Sequence, residues 1–143
     1  MNKEFVSYDI ALTLKELGFD EPCYKYVYLG DTGINVDHYL EVEPSKAKNY
    51  NEDDLCISQP TFSQAFRWFR KKHGLMHIIN PYYFTAEIDY LNERIVDEKY
   101  GDFIPHDHLV DDEGEEIKHS SYEEAEGACL DKLLEIVKKN AHI

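Results

Sequence analysis

The chain has 143 residues, 43% of them hydrophobic, 13% aromatic and 31% charged, a composition too apolar for a disordered chain. Its length suits one domain spanning residues 1–143, which would bury roughly 68% of its unfolded surface. With 29 Asp and Glu against 15 Lys and Arg the formal net charge is −14, a potential that disfavours direct nucleic-acid or anionic-membrane binding and suits a basic partner.

The opening "MNKEFVSYDI" carries Lys3, Glu4 and Asp9 and no apolar run of signal-peptide length. Ser7 is placed to cap a first helix, with Ile10, Leu14 and Leu17 at helical spacing and Gly18 at its C-terminal end. "CYKYVYL", residues 23–29, reads as a strand with Tyr24, Tyr26 and Tyr28 on one face and Cys23, Val27 and Leu29 on the other. "GDTG" makes a hairpin turn into a returning strand, "INVDHYLEV", whose apolar face carries Ile34, Val36, His38, Leu40 and Val42. Residues 43–58 lack periodicity and read as a long surface loop.

Thr61 and Gln64 match a capping box, so a second helix begins at Phe62 and ends before Gly74. Stepping about 100° per residue puts Phe62, Ala65, Phe66 and Phe69 on one face and Ser63, Arg67, Arg70 and Lys71 on the other, with Trp68 at the border. "LMHIIN" and "YYFTAEIDYL" read as strands bent apart at Asn80-Pro81, the second alternating Phe84, Ala86, Ile88 and Tyr90 against Thr85, Glu87 and Asp89. Residues 92–119 hold only two short apolar pieces, Ile95-Val96 and Phe103-Ile104, with room for one edge strand. Ser121 and Glu124 cap a final helix with an apolar stripe of Tyr122, Ala125, Cys129, Leu133, Ile136 and Val137.

No uncharged stretch, residues 75–86 included, reaches the ~18 apolar residues of a spanning helix. Cys23, Cys56 and Cys129 are odd in number and widely spaced, without a C-x-x-C pair, which suits reduced thiols in a cytoplasmic protein. Cys129 lies in mid-stripe and reads as a buried, inert thiol.

Seven histidines invite a metal reading, densest at His106-Asp107-His108. A site needs ligands converging from elements that fix their geometry. The triplet reads as part of a solvated loop with no helix or strand ligand to complete it, so no metal is assigned. Gly74 separates His73 from His77 and removes their shared helical face. His38 reads as a histidine hydrogen-bonded within or beside the core. The acidic run "DDEGEE" fails as a calcium hand, because placing Gly114 at position six puts Leu109 and Ser120 where acidic ligands belong. Phosphate-loop, dinucleotide, zincin-helix and serine-elbow motifs are absent from the sequence, so no catalytic residue and no cofactor are assigned.

Arg67, Arg70, Lys71 and Lys72 form the one dense basic patch. Its plain explanation is favourable placement at the negative end of a helix. The functional one makes Arg67, Trp68, Arg70 and Lys71 a partner-binding edge, since Trp and Arg are over-represented at interface hot spots.

The stretches "ALTLKELGFDEPC", "SQAFRWFRKKHGL" and "SYEEAEGACLDKLLEIVK" resemble a group of small uncharacterised proteins encoded by gut Bacteroidales and their phages or prophages. The likeness covers roughly the first 25 residues, residues 58–79 and the last helix. It implies a mobile-element setting and a single-domain fold and supplies no activity to carry over.

The expected fold is α+β in the order αββαββα, short helices packing on one face of a mostly antiparallel sheet. The favoured function is a small acidic, non-enzymatic binding or accessory protein of a phage or mobile element that engages a basic host protein, its acid complementing a nucleic-acid-binding surface. The alternatives are a metal-dependent enzyme using His106, His108 and acids of the nearby loop, or a module whose tyrosine-rich sheet and basic helix hold a small anion such as a nucleotide.

Overall fold

The computed structural model describes residues 5–30 and 39–141. It is α+β, with three α-helices and two antiparallel three-stranded sheets. The expected element order holds, with one further short strand in each half of the chain. By contacts the chain forms two compact units, Met1–Ala65 and Phe66–Ile143.

The first unit begins with α1, Tyr8–Glu16, whose Ser7 Oγ accepts the Ile10 N–H as the sequence predicts. Gly18 takes φ +92, the left-handed conformation that ends a helix without a Cβ clash. The sheet of this unit is ordered β2-β1-β3, from β1 Lys25–Tyr28, β2 Tyr39–Glu41 and β3 Cys56–Ser58. Val6, Ala11, Leu14, Phe19, Val27 and Ile57 are each at most 1% exposed and form its core.

Residues 31–38, which include most of the expected hairpin turn and Ile34, Val36 and His38, lie outside the described residues. Leu40, assigned to the apolar face, is 42% exposed. Residues 43–58 are not a structureless loop. Cys23 and Lys48 exchange backbone hydrogen bonds of 2.9 and 3.0 Å. Asn51 links two segments at once: its Nδ2 donates to Phe19 O, and its Oδ1 accepts the Ser58 N–H. Tyr50 is buried, stacks on Tyr26 at 3.9 Å and gives its N–H to Ser58 Oγ. These contacts position β3, whose three residues are all buried.

The second helix, α2, runs Phe62–His73 and starts with the expected reciprocal box: Gln64 N–H donates to Thr61 Oγ1 at 3.1 Å, and Thr61 N–H to Gln64 Oε1 at 2.9 Å. Its continuation in the second unit leads through Gly74, φ +65, into the sheet ordered β4-β5-β6. These strands are β4 Leu75–Ile79, β5 Ala86–Tyr90 and β6 His106–His108. The β4–β5 ladder runs from Leu75 opposite Tyr90 to Ile79 opposite Ala86.

The third helix, α3, spans Tyr122–Ala141, with Ser121 Oγ accepting the Glu124 N–H, and lies against β4 and β5. Ala125, Cys129, Leu130 and Leu133 are fully buried, and each Leu removed from water contributes about 1.5–3 kcal/mol. Tyr122, assigned to the apolar stripe, is 41% exposed instead. None of the described helices is long and apolar enough to cross a membrane.

Alternation in β5 follows the sequence reading: Ala86 and Ile88 are buried, while Glu87 and Asp89 project from the opposite face and are half-buried. That polar face holds the candidate site of the second unit.

Candidate functional site

The site is set by register. Strand β6 pairs antiparallel with β5, placing His108 opposite Glu87 and His106 opposite Asp89. Directly opposed residues of a ladder share a face, so two imidazoles and two carboxylates emerge together. The histidine triplet is therefore not in a loop, as the sequence reading held, but on an edge strand whose neighbour supplies the missing carboxylates.

Three features hold β6 there. Tyr90 N–H donates to Pro105 O and Leu109 N–H to Ala86 O, both at 2.9 Å, bracketing the three-residue strand. Buried Leu109 anchors its end in the core. Asp107, on the opposite face, accepts the Tyr90 hydroxyl, and Tyr90 is pushed up by burial and then by that hydrogen bond.

One ligand atom each from Glu87, Asp89 and His106 lies within 4.8 Å of the others. Around a bound transition-metal ion, ligand distances of about 2.0–2.2 Å put such atoms roughly 3–4 Å apart, so modest side-chain rotation closes the set. Asp89 Oδ1 is sealed from solvent without a hydrogen-bond partner. The Glu87 carboxyl is raised above its ordinary value, first by its hydrogen bond with Asp89, then by burial and by the Asp89 charge, while His106 and His108 pull it back. Two carboxylates thus share a space that favours a positive charge between them.

His108 has a different partner. Asp111 begins a tight turn, its Oδ1 accepting the N–H groups of Glu113 and Glu115 at 2.9 and 3.0 Å, with Gly114 at φ +83. The acidic run is thus a turn, and it returns the chain so that Val110 bridges Glu116. Glu116 Oε1 consequently sits 2.6 Å from His108 Nδ1. A carboxylate on Nδ1 orients the ring and leaves Nε2 as its other polar atom.

Beside this pair opens a pocket of about 540 Å³ whose lining includes Ile78, Tyr82, Tyr83, Glu87, His108 and Lys118. Its rim is the β4–β5 connection, where Asn80 Oδ1 accepts the N–H groups of Tyr82 and Tyr83 at 2.8 and 3.3 Å. Phe84 adopts φ 53, a left-handed conformation rare for a bulky side chain, and its N–H bonds to Asn80 O. This turn delays β5 until Ala86, later than the sequence reading placed it.

The other sequence candidates are distributed elsewhere. Arg67, Arg70 and Lys71 are exposed on α2. Trp68 is only 2% exposed, with edge-on contacts to Phe69 at 5.1 Å and His73 at 4.8 Å, so its ring is not presented with that basic face. The physical reason is stripe width: Ala65, Phe66, Trp68 and Phe69 are all buried, an arc broad enough to take in the border position. His77 stacks on Phe66 at 3.6 Å, and the two histidines flanking Gly74 are held in separate aromatic contacts. The three cysteines are free and buried, and burial pushes Cys23 and Cys129 up to about 12. Neither thiol is poised as a nucleophile.

Sequence reasoning identified Glu87 and Asp89 as one face of a strand but did not join them to His106. The available signal was His-Asp-His itself, a period-two alternation between Pro105 and the apolar Leu109-Val110. No protein-family model matches the chain, no curated protein matches it in sequence, and no solved structure matches it in fold.

Proposed function

We propose that the protein binds a divalent first-row metal ion on the polar face of its second sheet, with Glu87, Asp89 and His106 as protein ligands. The observation that carries this reading is the convergence of their ligand atoms within 4.8 Å on two hydrogen-bonded strands. One imidazole and two carboxylates form a mixed nitrogen–oxygen set that suits zinc or manganese better than a soft ion that prefers thiolates. Three protein ligands leave coordination positions for water or an incoming molecule, the open arrangement of a reactive site rather than a closed structural one.

The test is calorimetric titration of tag-free protein with Zn²⁺ and Mn²⁺. Saturable binding of one ion per chain is expected. Asp89→Asn and His106→Ala should each weaken it by at least about tenfold while leaving the circular dichroism spectrum unchanged. Absence of saturable binding, or affinity unchanged from the parent in both variants, would refute the assignment.

A second reading has its own support. Arg67, Arg70 and Lys71 are exposed together on α2 in a chain of net charge −14. A partner contact there would depend on charge without the Trp68 ring as anchor, and it would weaken with salt. Pull-down from a host lysate at low and high salt tests it, and failure to recover a specific partner at low salt removes it.

A further inference from the structure

We infer that the pocket beside the metal cluster binds a small aromatic molecule bearing a phosphate group, with the ring against Tyr82 and Tyr83 and the phosphate between Lys118 and the metal. This inference rests on the metal reading above. Glu87 belongs to both the pocket and the cluster, so an ion held by Glu87, Asp89 and His106 would border the pocket directly.

The volume, about 540 Å³, lies within the range of small-molecule sites and accommodates one substituted ring. Tyr82 and Tyr83 are 85% and 60% exposed, an unusual pair of consecutive aromatic rings to leave in solvent. Their backbone is held by Asn80 Oδ1, so the main-chain part of the ordering needed for a stacking surface is already present before a ligand arrives.

The polar wall selects the other end of the ligand. Lys118 Nζ lies 5.6 Å from the centre of the Tyr83 ring, placing a cation beside an aromatic surface. An anion near Lys118 would also face the Glu87 and Glu116 carboxylates of the lining, whose repulsion must be offset. A bound divalent ion offsets it, which makes phosphate binding metal-dependent. His108, when doubly protonated, donates from Nδ1 to Glu116 and offers its Nε2–H to a phosphate oxygen.

The experiment measures phenyl phosphate binding to tag-free protein by ligand-observed NMR, with and without saturating Zn²⁺, after zinc binding has been measured alone. Inorganic phosphate and benzyl alcohol serve as the ringless and uncharged controls. Phenyl phosphate should bind the zinc-loaded protein at least about tenfold more tightly than either control and than it binds the metal-free protein. Tyr83→Ala and Lys118→Met should each weaken it by about tenfold while zinc affinity stays unchanged, which also shows that the variants fold. Zinc binding without phenyl phosphate binding, or full phenyl phosphate affinity in both variants, overturns this inference alone. Failure of zinc to bind overturns the metal reading and this inference with it.

Discussion

Replacing Gly74 by Ala tests the geometry that joins α2 to the second sheet. Gly74 has φ +65, and its carbonyl accepts the Leu91 N–H at 2.7 Å, tying the entry to β4 to the exit from β5. A side chain at φ > 0 costs about 1–2 kcal/mol by itself. A Cβ there would also lie 2.5 Å from Asn92 Cγ and 2.9 Å from its Oδ1, inside van der Waals contact, with Nδ2 closer still. Asn92 is exposed and its amide can turn away, so the expected total is about 1–3 kcal/mol, only the upper part coming from crowding. Urea unfolding of Gly74→Ala, Asn92→Ala and the double variant separates the two contributions. With Asn92 truncated, the Gly74→Ala cost should fall to the backbone value alone. An identical cost in both backgrounds would refute the crowding argument, and a cost below about 0.5 kcal/mol would refute the conformational one as well.

His77 is lowered first by burial and then by the Arg70 charge, so it binds protons more weakly in the folded chain than at its ordinary value of 6.5. Its contribution to stability is intact above that value and is lost as pH falls toward the folded value, with a slope of at most about 1.4 kcal/mol per pH unit. His77→Phe should keep the stack on Phe66 and lose less stability between about pH 7.5 and 5.5 than the parent; an unchanged difference in urea midpoint would show that His77 does not titrate this way. Leu133→Ala should cost about 2–5 kcal/mol because the side chain is fully buried, whereas Tyr122→Ala on the same helix should stay within about 0.5 kcal/mol. Thermal denaturation of both variants checks the contrast, and similar shifts would contradict the assignment of the α3 stripe.

The helices were legible because their signals are local. Ser7, the Thr61–Gln64 pair and Ser121 cap their helices as the sequence predicts, since a cap needs only residues three apart. Strand β5 was legible because five residues suffice to display alternation. The two strands that could not be placed are three residues each and carry no contrast along their length: Cys56–Ser58 is buried throughout, and His106–His108, in the segment with room for an edge strand, is exposed throughout. Such a segment becomes a strand because of its neighbour, here β1 for the first and β5 for the second. The order in residues 43–58 likewise depends on Asn51 reaching Phe19 across 32 positions, a contact that no window of sequence contains.

The candidate site was illegible for the same reason, since a one-residue slip of β6 would turn its two imidazoles to the opposite face. Edge protection gives a competing account of the polar residues on β6, because charged and polar side chains on an outer strand discourage pairing with another chain. That account needs only groups directed at solvent. It gives no reason for two carboxylates on the central strand β5, one of which has an oxygen sealed from water without a hydrogen-bond partner. Burying an acceptor in that state costs about 1–3 kcal/mol, more for a charged group, and a bound cation would offset the cost that edge protection leaves unexplained.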